Sequence, residues 1–244
     1  MRASAKTILT FSLGETISNK DGIIDTRAVS SVAEQFKRLV SLSEKVQIIA
    51  VAGAGGLGRD YIQFARAHLQ KKADLNQVAI RASQVNALLL ASVLRNSSIL
   101  TNAEIPETLV DVDSYLSSGF EAIVLGVLQP SLTSDSTAAS IAQRNDRSPL
   151  VIVSTAGGIL EGSEHAHRQK SILPKVDRSY LRWIIRSEPK EHVLDSQICK
   201  ILLSKKSKGM KVLVTGYSNI LEATKELLST RSKRSISGAT RILI

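Results

Sequence analysis

Cysteine is nearly absent. Cys199 is the only one in 244 residues, which excludes an intrachain disulfide and a cysteine-based zinc cluster. Its setting, Ile-Cys-Lys-Ile-Leu-Leu, is that of a packed helix face rather than of an exposed nucleophile. Aromatic residues are scarce at 4%, leaving few platforms on which single-stranded bases could stack, so nucleic acid is a poor fit as partner. No apolar run approaches the roughly 20 residues of a membrane span. The opening MRASAKTILTFSLG lacks the long apolar core and small-residue cleavage site of a signal peptide. The chain therefore reads as soluble and cytoplasmic, with no membrane partner. Acidic residues are the minority, 22 against 32 Lys and Arg, for a formal charge of +10. That balance suits anionic partners such as phosphorylated metabolites. The excess falls late, in Lys205, Lys206, Lys208 and Lys211 and in Arg231, Lys233 and Arg234, and reads first as a solvated face. A hydrophobic content of 43% is enough for a substantial core.

What is present is a junction at residues 47–67, QIIAVAGAGGLGRDYIQFARA, where an apolar run meets a glycine-rich turn and then a helix-patterned segment carrying Arg59. Bare backbone N–H groups in such a turn and at a helix N-terminus attract anions, and glycine admits a ligand without a Cβ in the way. Gly53, Gly55 and Gly58 satisfy the G-x-G-x-x-G spacing of a dinucleotide-binding crossover. That reading also needs a strand about twenty residues on, ending in an acidic residue for the ribose. Residues 73–94, ADLNQVAIRASQVNALLLASVL, are instead helix-patterned throughout, and Asp74 follows no strand. The dinucleotide reading fails at that point.

A first strand is expected over residues 6–11, running into Ser12-Leu13-Gly14-Glu15-Thr16, a polar glycine turn and a second place to cradle phosphate. Val29, Val32, Ala33, Phe36, Leu39 and Val40 have the spacing of a helix with one buried stripe. Residues 45–51 form a second strand, apolar on both faces as in a covered parallel sheet. Helices follow through Tyr61, Ile62, Phe64 and Ala65 and over 80–94. Residues 109–112 read as a short strand and 121–127 as a clear one, ahead of Gln129-Pro130-Ser131-Leu132-Thr133-Ser134-Asp135 and a helix over 136–143. Any one of Thr133, Ser134 and Asp135 suffices to cap that helix. All three, after a proline turn at a strand's carboxyl end, read as a ligand rim. A strand over 150–154 ends in Ser154-Thr155-Ala156-Gly157-Gly158. Beyond it, helices are expected over 176–186, 194–204 and 220–228, strands over 211–215 and 240–244, and a basic loop over 231–237. His165 and His167 form an H-x-H in a polar loop, a weak metal signal, and no metal site is assigned. With no repeat and no linker, the pattern favours one domain over residues 1–244, a three-layer α/β/α sandwich with a mainly parallel central sheet.

The order of these turns resembles the amino acid kinase superfamily, and within it the archaeal type of uridylate kinase, along nearly the whole chain. Ser12-Leu13-Gly14-Glu15-Thr16 is similar to the family's first loop; Gly53-Ala54-Gly55 with Arg59, Tyr61 and Ile62 is similar to its glycine triplet, arginine and Tyr-Ile. Ser83, Gln84, Val85, Asn86 and Ala87 match a segment that opens the next helix, and residues 126–142, GVLQPSLTSDSTAASIA, resemble the proline, hydroxyl-pair and aspartate loop. Val193-Leu194-Asp195 and Gly238-Ala239-Thr240 also find counterparts. The resemblance implies transfer of the γ-phosphoryl group of ATP, with Mg²⁺, to the phosphate of UMP. It implies an acceptor-binding half over about 1–145 and a nucleotide-binding half over about 146–244. The acceptor would lie across Ala54, Gly55, Arg59, Asn76, Gln129, Pro130, Ser131, Thr133 and Ser134. ATP would lie across Ser12, Leu13, Gly14, Glu15, Thr16, Gly55, Ser154, Thr155, Leu160 and Ser163. Arg59 and Asp135 would act at the reacting groups. Assembly into oligomers, commonly hexamers, with itself or with a paralogue, is also implied.

The chain departs from the family at informative places. The first loop holds Ser12, Glu15 and Thr16 where many relatives carry a lysine. Asn76 replaces an acidic residue. The nucleotide-side motif Thr-Asn-x-Asp-Gly-Val-Tyr appears as Ser154, Thr155, Ala156, Gly157, Gly158, Ile159 and Leu160, with Ser163 where an aspartate follows. Two functions of different classes are therefore compatible with the sequence. One is a working uridylate kinase-like enzyme; the other is a non-catalytic nucleotide- or oxyanion-binding relative or partner subunit.

Overall fold

Largely apolar runs become the central strands of one sheet, with Thr10, Ser12 and Gln47 as polar exceptions in the first two. The computed structural model describes residues 6–18, 24–42, 46–130, 132–161, 171–187, 193–229 and 238–244. Its strands are β1 (Thr7–Gly14), β2 (Val46–Ala52), β3 (Ala122–Leu125), β4 (Leu150–Val153), β5 (Lys175–Val176), β6 (Val212–Thr215) and β7 (Ala239–Ile242). They lie in the order β3-β2-β1-β4-β6-β7-β5. From β3 to β6 every pair is parallel, β7 runs antiparallel to β6, and β5 is parallel to β7. All seven residues of β2 are buried, because both faces of an inner parallel strand are covered.

The alternation of side chains along β2 divides the core in two. Ile48, Ala50 and Ala52 face one layer; Ile49 and Val51 face the other. The first layer is supplied by α1 (Thr26–Leu42), α3 (Lys72–Asn96) and α8 (Ile220–Leu228). The second is supplied by α4 (Leu109–Ser117), α5 (Ser134–Arg144), α6 (Arg178–Ser187) and α7 (Ser196–Leu203). The remaining helix, α2 (Gly55–His68), lies against α3. By length and composition α3 could cross a membrane, but Ile80, Ala87, Leu90, Ala91 and Leu94 bury one stripe of it beneath the sheet, as a core helix does.

Three segments take another type of structure than the sequence leads one to expect. Residues 109–112 are the first turn of α4 rather than a strand. Thr108 Oγ1 accepts the Asp111 N–H at 3.2 Å while Asp111 Oδ2 accepts the Thr108 N–H at 2.8 Å, a reciprocal cap that outweighs the β-branched Leu-Val-Asp-Val run. Val176 belongs to β5, and α6 begins only after Asp177, whose carboxylate accepts the Ser179 and Tyr180 N–H groups at 2.9 and 3.1 Å. Ser12, Leu13 and Gly14 continue β1 instead of forming a turn.

The connectivity fixes where a ligand can enter. From β1 the chain passes to β2 and β3 on one side, then returns to β4 on the other side of β1. At such a switch point the loops beyond the carboxyl ends diverge and leave a crevice. The residues after β1, β2, β3 and β4 border it.

Candidate functional site

The first loop and the glycine turn are joined backbone to backbone. The Gly53 N–H donates to the Gly14 carbonyl at 3.1 Å, and a Cβ on Gly53 would overlap that oxygen while standing 3.2 Å from Ser134 Oγ. Gly55 needs glycine for two reasons: its φ is +61°, and a Cβ there would stand 2.7 Å from Ser18 Cβ. Asn86 Nδ2, on α3, donates to the Gly53 and Ala54 carbonyls at 2.8 and 3.2 Å, so the turn is pinned to the helix behind it. Ala54 stands at the N-cap position of α2 without a side-chain cap; the Leu57 N–H donates to Ser18 Oγ at 3.4 Å, which leaves the Gly55 and Gly56 N–H groups of that helix end for a ligand. Gly58 is not part of the turn. It is buried within α2, where a Cβ would meet Ala54 and Ala82, and it serves the close approach of α2 to α3.

Arg59 does not project alone into the crevice. Its Nη1 donates to Glu15 Oε1 at 2.6 Å and its Nη2 to Glu15 Oε2 at 3.2 Å, a two-pronged pair. Both side chains are about half exposed, at 50% and 43%.

The N-terminus of α5 brings a second group of polar residues to the end of β1. Thr133 caps α5, accepting the Ser136 N–H at 3.1 Å, so Ser134 and Asp135 lie in the first helical turn rather than ahead of it. Ser12 Oγ donates to Asp135 Oδ1 at 2.5 Å. Desolvation raises the Asp135 carboxyl to a pKa of about 7; the Ser12 hydrogen bond opposes this and the negative charge of Asp195 adds to it. Thr133 Oγ1 donates to Asp195 Oδ2 at 2.6 Å, and Asp195 Oδ1 accepts the Gln197 and Ile198 N–H groups at 2.7 and 2.9 Å. Asp195 thus caps α7 and ties it to the α5 loop. Cys199, one turn along α7, is fully buried. Burial pushes its thiol up to about 12, with Asp195 and Asp135 adding to the effect.

The remaining expected site residues divide. Leu13 is fully buried in the core and offers a ligand only its backbone, whose carbonyl accepts the Thr16 N–H at 2.8 Å. Thr16 is buried too. Gln129 and Pro130 are exposed in the loop after β3, and Asn76 lies half-buried in α3. Ser154 follows β4; its Oγ accepts the Ala156 N–H at 3.1 Å, beside exposed Thr155. Leu160 pairs with Ile172 in an isolated bridge. Ser131, Ser163, His165, His167 and the basic loop 231–237 lie outside the described residues. From sequence, Asp195 enters only through the resemblance of Val193-Leu194-Asp195, and the helix expected over 194–204 takes it in as a helical residue; the structure makes it the N-cap of α7 instead.

An α/β protein whose glycine turns, arginine and helix N-termini converge at a switch point is built to hold an anion, phosphate above all. Residues 14–183 match the amino acid kinase family, and the chain belongs to it. A uridylate kinase from Methanococcus vannielii is 27% identical over 203 residues, 82% of this chain and 87% of that protein. The fold is shared with the uridylate kinase from Archaeoglobus fulgidus, with a TM-score of 0.76 at 22% identity over 97% of this chain and 99% of that one. It is shared also with an aspartate kinase from Synechocystis, with a TM-score of 0.65 at 16% identity over 98% of this chain and 40% of that one.

Proposed function

We propose that the protein is a uridylate kinase-like phosphotransferase, moving the γ-phosphoryl group of ATP to the phosphate of UMP. The observation that carries this reading is the convergence at the β1 end of the α2 N-terminus with its Gly55 and Gly56 N–H groups, the Arg59 guanidinium and the Asp135 carboxyl, in a chain whose relatives are uridylate kinases. Phosphoryl transfer needs few covalent actors, since positioning and charge neutralisation supply most of the rate. Arg59 is the group suited to grip the acceptor phosphate as a fork. Gly55 lets two phosphate chains approach closely. Asp195 holds Thr133 and the α5 loop in place, and so sets where Asp135 stands.

The residues present fit Mg²⁺ carried mainly by nucleotide phosphates. Among the described residues no three His, Cys, Asp or Glu side chains are grouped to cage a metal, whereas Mg²⁺ at such sites is held by one or two carboxylates plus phosphates. Asp135 is the carboxylate that would hold it. When bound, the ion neutralises charge on the transferring phosphoryl group.

The test is calorimetric titration with UMP and, separately, with ATP and Mg²⁺. Arg59→Ala is expected to weaken UMP by more than about 30-fold, from the loss of a charged pair of hydrogen bonds, and to leave ATP affinity nearly unchanged. If UMP binds but ATP does not bind even at millimolar concentration, the kinase reading falls and the chain is a nucleotide-binding relative.

Assembly into a homo-oligomer or with a paralogue belongs to the same proposal. Tyr61 and Phe64 on α2 and Val85 and Leu88 on α3 are exposed, Phe64 at 69% and Val85 at 58%, an apolar face of the kind that marks an interaction surface. Phe64→Glu combined with Val85→Glu is expected to reduce the mass measured by light scattering to that of the single chain. An unchanged mass distribution would show that this face is not the contact.

A further inference from the structure

The two-pronged Glu15–Arg59 pair lies at the mouth of the crevice with both partners about half exposed, where water screens it and a ligand can reach it. It joins the two loops that border the proposed phosphate site, 44 residues apart in sequence. The carboxylate sits on the fork of the arginine best placed for an acceptor anion.

We propose that Glu15 is a built-in carboxylate competitor for Arg59, and thereby a specificity-determining residue that admits a phosphate monoester to this position and turns carboxylates away. The inference rests on the phosphate-acceptor reading above. An incoming carboxylate brings to the fork no more than Glu15 already does, two oxygens and one charge on one guanidinium, and has no third oxygen to turn toward the helix end. Glu15 is tethered by the fold, and a tethered group competes at an effective concentration of about millimolar or higher. A free carboxylate therefore gains nothing by exchange. A phosphate monoester near neutral pH carries a charge of about −1.5 to −2 and three terminal oxygens. It can take the Arg59 fork and also accept from the Gly55 and Gly56 N–H groups at the start of α2. The displaced Glu15 carboxylate returns to water at little cost, since it is already about half exposed. The distinction matters in a fold that serves both a uridylate kinase and an aspartate kinase, whose named acceptors carry a phosphate and a carboxylate respectively.

The experiment titrates the full chain with UMP, inorganic pyrophosphate and aspartate, as wild type, Glu15→Gln, Arg59→Ala and the double variant. Glu15→Gln is expected to bind UMP and pyrophosphate about tenfold tighter, from release of the fork and removal of one nearby negative charge. It is also expected to gain measurable aspartate binding, while the double variant gains nothing over Arg59→Ala. Equal or weaker anion binding by Glu15→Gln overturns the filter; if UMP still binds wild type, the acceptor reading stands. A gain that persists in the double variant also overturns it, since the effect would not pass through Arg59. Tighter pyrophosphate together with gained aspartate binding, but without UMP binding in any variant, sustains the filter and removes UMP as the acceptor, whereas no gain in aspartate binding overturns the filter. No anion binding in any variant overturns it outright.

Discussion

Asp135→Asn is expected to flatten the pH dependence of stability and to lower phosphoryl transfer about 100-fold. The carboxyl has a pKa of about 7 in the folded chain against about 3.9 unfolded. A raised carboxyl pKa means that the folded state holds the proton more tightly. This group therefore favours folding fully below about pH 4, and that contribution is lost as pH rises toward 7. We expect the loss to be about 2 kcal/mol in the wild type, roughly half of the full linkage, because Asp135 keeps some contact with solvent. Urea unfolding from pH 4 to 8 would show this decline, and Asp135→Asn would lack it. The asparagine still accepts the Ser12 hydroxyl through its amide oxygen, so above pH 7 the variant should be the more stable protein. Its turnover should nonetheless fall, because the charge at the start of α5 that would hold the metal is gone; one well-placed electrostatic group is worth about 100-fold or more. A wild-type stability that rises through this range would contradict the argument.

Gly53→Ala is expected to lower the melting temperature by about 5–10 °C and to abolish binding of phosphate ligands. The added Cβ would overlap the Gly14 carbonyl oxygen and crowd Ser134 Oγ. The nearer obstacle is backbone, so no flexible side chain can yield. Overpacking of this kind costs about 2–3 kcal/mol, and each kcal/mol shifts the midpoint of a chain this size by about 2–4 °C. The first loop and the glycine turn must then separate, and the Gly53–Gly14 hydrogen bond with them. Gly119→Ala serves as the control. Its φ is +84° with nothing within 4 Å of the added carbon, so only a conformational cost of about 1–2 kcal/mol applies, and ligand binding should be retained.

Strands β1 to β4 are legible because they are short, mostly apolar runs, uninterrupted in β3 and β4, and α1 because its stripe recurs with helical spacing. The misread segment at 109–112 shows the limit of that method. Leu-Val-Asp-Val has strand composition, yet Thr108 and Asp111 three residues later form a cap, and the cap decides. Val176 was assigned to a helix because a strand of two residues leaves no periodicity to detect. In the site, the glycine turn, Arg59 and the α5 loop could be read because the groups in each lie close together in sequence. The pairings between them could not. Glu15 reaches Arg59 across 44 residues and Thr133 reaches Asp195 across 62, and both joins depend on the strand order. A lone aspartate before a helix carries no mark of the loop it will meet. Gly58 fitted a phosphate-binding spacing in sequence, while its actual work is helix packing.

The buried thiol of Cys199 has a practical consequence. A cysteine with no solvent access and a pKa near 12 presents almost no thiolate to maleimides or iodoacetamides at neutral pH. The native chain therefore behaves toward such reagents as if it had no cysteine. A single reporter can be attached at an exposed crevice position such as Thr155→Cys without first replacing Cys199 and leaving a hole beneath α7. Fluorescence or spin-label signals from that position would then arise from the crevice alone, and would follow its opening and filling in real time.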